Sequence, residues 1–447
     1  MDTVLTIFWG LLIFSFLVFI HEGGHFLAAR AFGARVLEFF IGFPSQAQLA
    51  FNSKKIGTRF GVTPLLFGGY ARISGMDMGE PNPNLSAVLQ VINVRGEASV
   101  ADVAHILSLS NQDAADALVN LESWGSIRVK PGMHIDTNQE KTLYQTMARD
   151  SSGRTIYDGA QLGALQNEAG EPYLSDLSSE DQFAFERKQT YVGLSPLKRI
   201  IVLLSGIIIN LLFAFIIFVA VFMVSGVALI DASIKEVQAD SIAATQGIEA
   251  GDTILSIAHE PIDSGKDLLQ ALQNAKGKGS FEIVYLDTSN NKEITFNTEL
   301  KSDETLGIVL DSHLEKQGFV SSAKLAVENM VFTAIAIANL LNPARFMDTI
   351  SQSSSVIGIA VLAKDAAQAG FVPFLTLAAA ISLSLGLMNL LPIPPLDGGK
   401  VLIEIIQAAI GRPISQKTQV GISLLGIAFF IVLFVILLGQ DISRIAS

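Results

Sequence analysis

Four runs of apolar residues stand out from an otherwise mixed chain, each near the roughly 20 residues a helix needs to cross a bilayer. The first covers residues 4–20 and resumes at 26–31; the others are 200–224, 371–391 and 420–438. Asp2 is the only charge ahead of the first run, and the run passes into a charged motif rather than a small-residue cleavage site. A retained transmembrane helix is therefore expected there, not a cleaved signal. The pattern predicts a polytopic α-helical membrane protein with four transmembrane helices.

The segments between the runs differ in character. Residues 36–75 carry β-type patches at 36–43, 48–51 and 59–62, with Gly68-Gly69-Tyr70 near the end, and are apolar enough to lie in or against a membrane. Residues 76–84 are a Gly/Pro/Asn loop. Residues 85–130 read as three helices and a short strand, and 131–185 are polar and turn-rich. Residues 227–311 alternate short strands and helices like a small globular domain. The apolar stretches 324–341 and 356–369 read as helices on the outer membrane surface. The expected segments are thus 1–84, 85–185, 186–225, 226–315, 316–370 and 371–447.

Charge orients this arrangement. Arg30, Arg35, Lys54, Lys55 and Arg59 follow the first span, Arg187, Lys188, Lys198 and Arg199 precede the second, and Lys400, Arg412 and Lys417 lie between the third and fourth. Basic residues favour the cytoplasmic side, which places both termini and residues 226–370 on the outer face. Only 16% of the 447 residues are charged, and 30 Lys and Arg against 42 Asp and Glu give −12. That balance speaks against a general nucleic-acid binder. The absence of cysteine excludes a disulfide scaffold, a thiolate metal site and a cysteine nucleophile.

One motif carries chemistry. His21-Glu22-Gly23-Gly24-His25 has the form H-E-x-x-H. On a helix, positions i and i+4 share a face, so two imidazoles can meet one zinc ion with the glutamate beside them as general base. Ionisable residues at the end of an apolar helix are expensive and usually functional. Gly23 and Gly24 each cost about 1 kcal/mol against alanine, which close approach of a backbone or of substrate would offset. Zinc with an open position needs a third protein ligand. His105, His134, His259 and His313 lie in polar stretches and read as surface residues. Asp397, after Pro392, Pro394 and Pro395, is a candidate ligand; a turn or N-cap role ahead of a helix starting near Lys400 is the alternative.

HEGGHF followed by AxR, GGYxRI before an acidic loop, GxxxN at Gly206–Asn210 and NLLPIPPLDGG together resemble the site-2 protease family of intramembrane zinc metalloproteases, with the bacterial regulator of sigma-E protease branch nearest. The resemblance spans about 1–84 and 186–447. It implies zinc held by His21, His25 and Asp397, with Glu22 as catalytic base. It also implies substrate contact by Asn389 and by a membrane-associated β-element ending in Gly68, Gly69 and Tyr70, whose edge would hold substrate as an added strand. The stretch around Gly247, Gly251 and Asp252 resembles a PDZ domain, present once where well-known branch members carry two. The implied function is site-2 cleavage of single-span membrane proteins, such as anti-sigma factors and remnant signal peptides, in a bacterial cytoplasmic membrane. An upstream site-1 type protease would cut the same substrate first.

Residues 85–185 depart from the family core. Their first half resembles a winged helix, but the helix that would enter DNA carries Asp113, Asp116 and Glu122 and no basic residue before Arg128. A protein-interaction or gating module is expected rather than a DNA reader. Two other functions compete: a membrane receptor or scaffold with a vestigial site, and a membrane-anchored peptidase with a soluble site. The intact H-E-x-x-H on an apolar span disfavours both.

Overall fold

A computed structural model of the chain describes all residues except 1, 67, 77–81, 133–138, 161–164, 176, 302–303, 352–354, 413 and 447. Most of the loop expected at 76–84, and His134, therefore lie outside the described residues. The chain divides into two compact units, Met1–Ile217 with Val327–Ser447, and Phe218–Ala326.

Helix α1 (Asp2–Ala31) leads to strands β1 (Val36–Ile41), β2 (Leu49–Asn52), β3 (Arg59–Val62) and β4 (Gly69–Ile73). Then come α2 (Leu85–Arg95), β5 (Glu97–Ser99), α3 (Val100–Leu107), α4 (Asn111–Ser123), β6 (Ile127–Val129), β7 (Leu143–Thr146), β8 (Arg149–Asp150), β9 (Leu165–Asn167) and α5 (Ser179–Lys188). Helix α6 (Pro196–Val224) runs into the second unit. There follow β10 (Val227–Val237), α7 (Ile242–Thr245), β11 (Thr253–Ile257), β12 (Glu260–Pro261), α8 (Gly265–Ala275), β13 (Ser280–Asp287), β14 (Lys292–Glu299) and β15 (Ile308–Glu315). The chain ends with α9 (Phe319–Ala338), α10 (Phe346–Ser351), α11 (Val356–Ala369), α12 (Phe371–Leu390), α13 (Asp397–Ile410) and α14 (Gln416–Ala446).

Among the described residues, five helices are long and apolar enough to cross a membrane: Asp2–Ala31, Pro196–Val224, Phe319–Leu341, Phe371–Leu390 and Lys417–Gly439. The sequence pattern gave four; the fifth is the least apolar and covers a stretch read above as a surface helix. Such helices are apolar on all sides because their surroundings are. Pro196 occupies the first helical position of α6, where its missing N–H costs nothing.

The first sheet runs β2-β3-β1-β4, with β1 parallel to β3 and antiparallel to β4. Its aromatic face meets α1: Phe39 lies edge-on to Phe19 and Phe26, at 5.6 and 5.5 Å between ring centres. Residues 85–147 form their own core, in which Leu89, Ile92, Leu118, Leu121, Trp124 and Tyr144 are buried. Ser99 and Asp102 form a capping box that starts α3, and Ser110 caps α4 through the Asp113 N–H. In the second unit the order is β14-β13-β11-β10-β15, with β12 on β11. Buried Asp252 accepts from the Glu249 and Thr288 N–H groups at 2.9 and 3.0 Å, tying the turn into β11 to the end of β13.

Four residues beyond α1, Arg35 is fully buried. Its guanidinium donates to both oxygens of Asp158 and to Glu186 Oε2, each at 2.6 Å. Arg149 pairs with the other Glu186 oxygen at 2.5 Å, and Ser126 donates to Oε2 at 2.6 Å. Burial alone would push the Glu186 carboxyl up; Arg149 and Arg35 outweigh it and hold it at about 2. Against an unfolded value of about 4.3, this contribution is complete above that pH and is lost as the pH falls toward 2. Glu186→Gln should therefore lower stability at pH 7 by about 3–5 kcal/mol. The gap to wild type should narrow in thermal melts recorded from pH 5 down to pH 2.5.

Candidate metal centre

The C-terminal half of α1 holds His21 and His25 one turn apart, both buried. Asp397, buried as well, is the first residue of α13, on a chain segment 376 residues away. Its Oδ2 lies 3.0 Å from His21 Nε2 and 3.2 Å from His25 Nε2, and the two Nε2 atoms are 3.3 Å apart. Among the described residues this is the one group of three His, Asp or Glu side chains whose donor atoms converge as for a metal ion. The position before Asp397, Leu396, is the N-cap and makes no side-chain bond. The aspartate thus does not cap its helix; its carboxylate turns to the imidazoles.

These spacings fit a tetrahedral zinc ion, whose nitrogen and oxygen ligands at about 2.0–2.1 Å stand about 3.3 Å apart. The chemistry fits too. His25 Nδ1 is 2.8 Å from the Val202 carbonyl oxygen, which can only accept, so Nδ1 carries the proton. In the neutral ring, the form that binds metal, Nε2 then offers a bare lone pair toward the carboxylate. Lone pairs facing one another inside an apolar bundle need a cation between them.

The two glycines of the motif do different things. A Cβ on Gly24 would lie 2.5 Å from the Ser205 carbonyl oxygen and 3.0 Å from Gly206 Cα, so here α6 crosses against bare backbone. A Cβ on Gly206 would collide with the rings of both His21 and His25. Around Gly23 nothing lies within 4 Å. Gly23 instead lines an apolar crevice of about 920 Å³ between α1 and the sheet, with Phe19, Phe39, Phe51, Phe60 and Ile209.

Glu22 reaches the sheet. Its Oε2 accepts from the Ala71 N–H at 3.0 Å. Gly42 donates to Gly68 O, and Ser74 donates to Arg35 O, so even-numbered residues of β4 face β1. Odd-numbered Ala71 therefore points its N–H off the open edge of the sheet, and Glu22 takes it. Gly69 and Tyr70 open this edge strand; Tyr70 stacks on Phe40 and donates to Glu38 at 3.1 Å. Gly68 lies against the Phe43 ring. Asn389 is half-buried in the last turn of α12 and is not one of the three converging groups.

Two contributors escaped the motif reading. Asn210, fully buried, has its side-chain amide 3.2 Å from His21 Nδ1. The Val202 carbonyl is main chain and leaves no sequence signal, whereas the GxxxN spacing at 206 and 210 was visible without a role. His105, His259 and His313 are exposed and stand apart; His313 pairs with Asp231 at 2.9 Å.

A sequence model of peptidase family M50 matches residues 9–433. The "Probable protease eep" of Enterococcus faecalis is 26% identical over 99% of both chains. The regulator of sigma-W protease RasP of Bacillus subtilis is 27% identical over 97% of both. The zinc metalloprotease RasP of Bacillus licheniformis is 27% identical over 100% of both.

The glycine geometry gives a graded expectation. Gly206→Ala should lower bound zinc, measured by elemental analysis of the purified protein, and Gly24→Ala should lower the melting temperature. Gly23→Ala should keep the metal and gain up to about 1 kcal/mol in helix stability.

Proposed function

The chain belongs to peptidase family M50 and is a zinc metalloprotease, and from that premise we propose that it performs site-2 cleavage of single-span membrane proteins. Its long apolar helices make it an integral membrane protein. The observation that carries the proposal is the meeting of His21, His25 and Asp397 beside Glu22, on a helix that is apolar along most of its length.

In this reading His21, His25 and Asp397 hold the zinc. Zinc bound there would supply Lewis-acid polarisation of the peptide carbonyl and a water made nucleophilic at neutral pH. Glu22 accepts the proton of the attacking water on a carboxylate oxygen and passes it to the leaving amide nitrogen. Peptide bonds inside a helix are hydrogen-bonded and shielded, so a membrane-spanning substrate must unwind before attack. The open edge of β4, reached at Gly69 between Gly68 and Tyr70, supplies main-chain partners to an extended segment. The apolar crevice beside Gly23 accepts its side chains, and Asn389 contacts it from α12.

The substrates we propose are anti-sigma factors and remnant signal peptides, in keeping with the sigma-W regulation named for the Bacillus subtilis relative. A site-1 type protease would trim them first. The setting is a bacterial cytoplasmic membrane crossed by four helices, with the metal near the cytoplasmic side. We read residues 226–315, within the unit Phe218–Ala326, as a PDZ domain on the outer side, filtering substrates. We read residues 85–185 as a winged-helix-like module that binds a protein partner, since Asp113 and Asp116 on α4 are exposed and repel nucleic acid.

A tagged single-span substrate with a shortened outer part, incubated with the purified protein, tests the reading. Glu22→Gln should cut turnover by at least about 100-fold while bound zinc stays at the wild-type level. Equal cleavage by both proteins refutes the mechanism.

A further inference from the structure

We infer that Asn210 sets the tautomer of His21, and through it the strength with which that histidine holds the metal. The inference rests on the metalloprotease reading only in requiring that zinc binds at His21, His25 and Asp397.

Val202, Gly206 and Asn210 are spaced i, i+4 and i+8 and share one face of α6. That face meets His25 and His21, themselves i+4 and i on α1. The Val202 carbonyl takes the Nδ1 proton of His25 at 2.8 Å. Gly206 lies between, with no room for a side chain. One turn further, the Asn210 side chain stands 3.2 Å from His21 Nδ1.

A histidine that binds metal through Nε2 must present a bare lone pair there, so its proton sits on Nδ1 and needs an acceptor. With the Asn210 amide nitrogen turned to Nδ1, two donors face each other, and the amide oxygen is buried without a hydrogen-bond partner. A half-turn of the amide, which exchanges groups of nearly equal size, removes both faults. His21 Nδ1–H then donates to Asn210 Oδ1, as His25 donates to Val202. The side chain has little freedom to do otherwise. Ser382 on α12 donates to the Asn210 main-chain oxygen at 3.1 Å, and a Cβ on Gly386 would come within 3.2 Å of Asn210 Cβ. Asn210 is thus a positioning residue: it touches neither substrate nor metal and acts through His21.

The test is zinc retention by the purified full-length protein challenged with excess chelator, read as metal content over time. Asn210→Leu keeps the approximate shape and loses the acceptor; it should hold zinc about 10- to 100-fold more weakly. Asn210→Asp keeps an acceptor oxygen and should hold it at least as well as wild type. Should the leucine variant not fold, Asn210→Ser, too short to reach Nδ1, takes its place against Asn210→Asp. Wild-type retention by the variants lacking an acceptor overturns the inference, as does equal loss by Asn210→Asp, which would mean a packing role alone. A wild-type protein without zinc would instead overturn the metal assignment itself.

Discussion

The crossing of α1 and α6 at Gly24 and Gly206 governs the geometry of the metal centre. Between helices in a bilayer the hydrophobic effect gives no net attraction, so association depends on close packing and on polar contacts. Gly23 and Gly24 in α1 and Gly206 in α6 cost helix stability, about 1 kcal/mol each. At Gly24 the return is direct contact with the backbone at Ser205 and Gly206. That approach brings a main-chain carbonyl and an amide side chain of α6 within reach of the two imidazoles. A larger residue at either crossing point would push α6 away, and both histidines would lose the groups that define their protonation.

Asp397 reaches the same point by a different construction. The segment between α12 and α13 turns back so tightly that a Cβ on Gly398 would strike the Leu390 backbone, and one on Gly399 would strike Pro394. Gly426 of α14 likewise packs on the Pro394 carbonyl. Two turns along α13, on the same face as Asp397, buried Glu404 pairs with Arg199 at 3.1 Å and accepts from Tyr191 at 3.3 Å. Arg199 belongs to α6. The helix that orders the histidines therefore also anchors the helix that carries the aspartate. Three converging side chains from two distant parts of the sequence are in this way held to one scaffold element.

This division explains what could be read from sequence. The long apolar runs and the H-E-x-x-H spacing are local signals, and three of the four strands of the first sheet fall close to the patches expected. Asp397 was visible as a lone carboxylate after a proline-rich break, yet the linear pattern left its role open between ligand and cap. Only the three-dimensional placement shows that Leu396 takes the cap position. The stretch 319–341 was ambiguous for a physical reason: its length suffices to span, but it is the least apolar of the five long helices. The partners of the histidines were hidden more deeply. A main-chain carbonyl has no residue type, and an asparagine four residues from a glycine announces nothing until the facing helix is known.

The Arg35 cluster bears on how residues 85–185 relate to the rest of the first unit. A buried guanidinium with ideal partners is roughly neutral compared with an apolar replacement, but costly once a partner is removed. Arg35 lies just beyond α1, while Asp158 and Arg149 come from residues 85–185 and Glu186 from α5, the helix that closes that segment. The same segment grips the end of β4 as well: the Trp124 carbonyl accepts from Ser74, and Glu122 pairs with Arg72 at 2.8 Å. Excising residues 85–180 would strand Arg35 without Asp158 and release the strand whose Ala71 N–H holds Glu22. Loss of cleavage after such a deletion would report a disturbed base and a destabilised helix exit, and would say nothing about gating. A role for residues 85–185 has to be sought by substitutions on their exposed surface, such as Asp113 and Asp116 of α4, which leave the buried cluster whole.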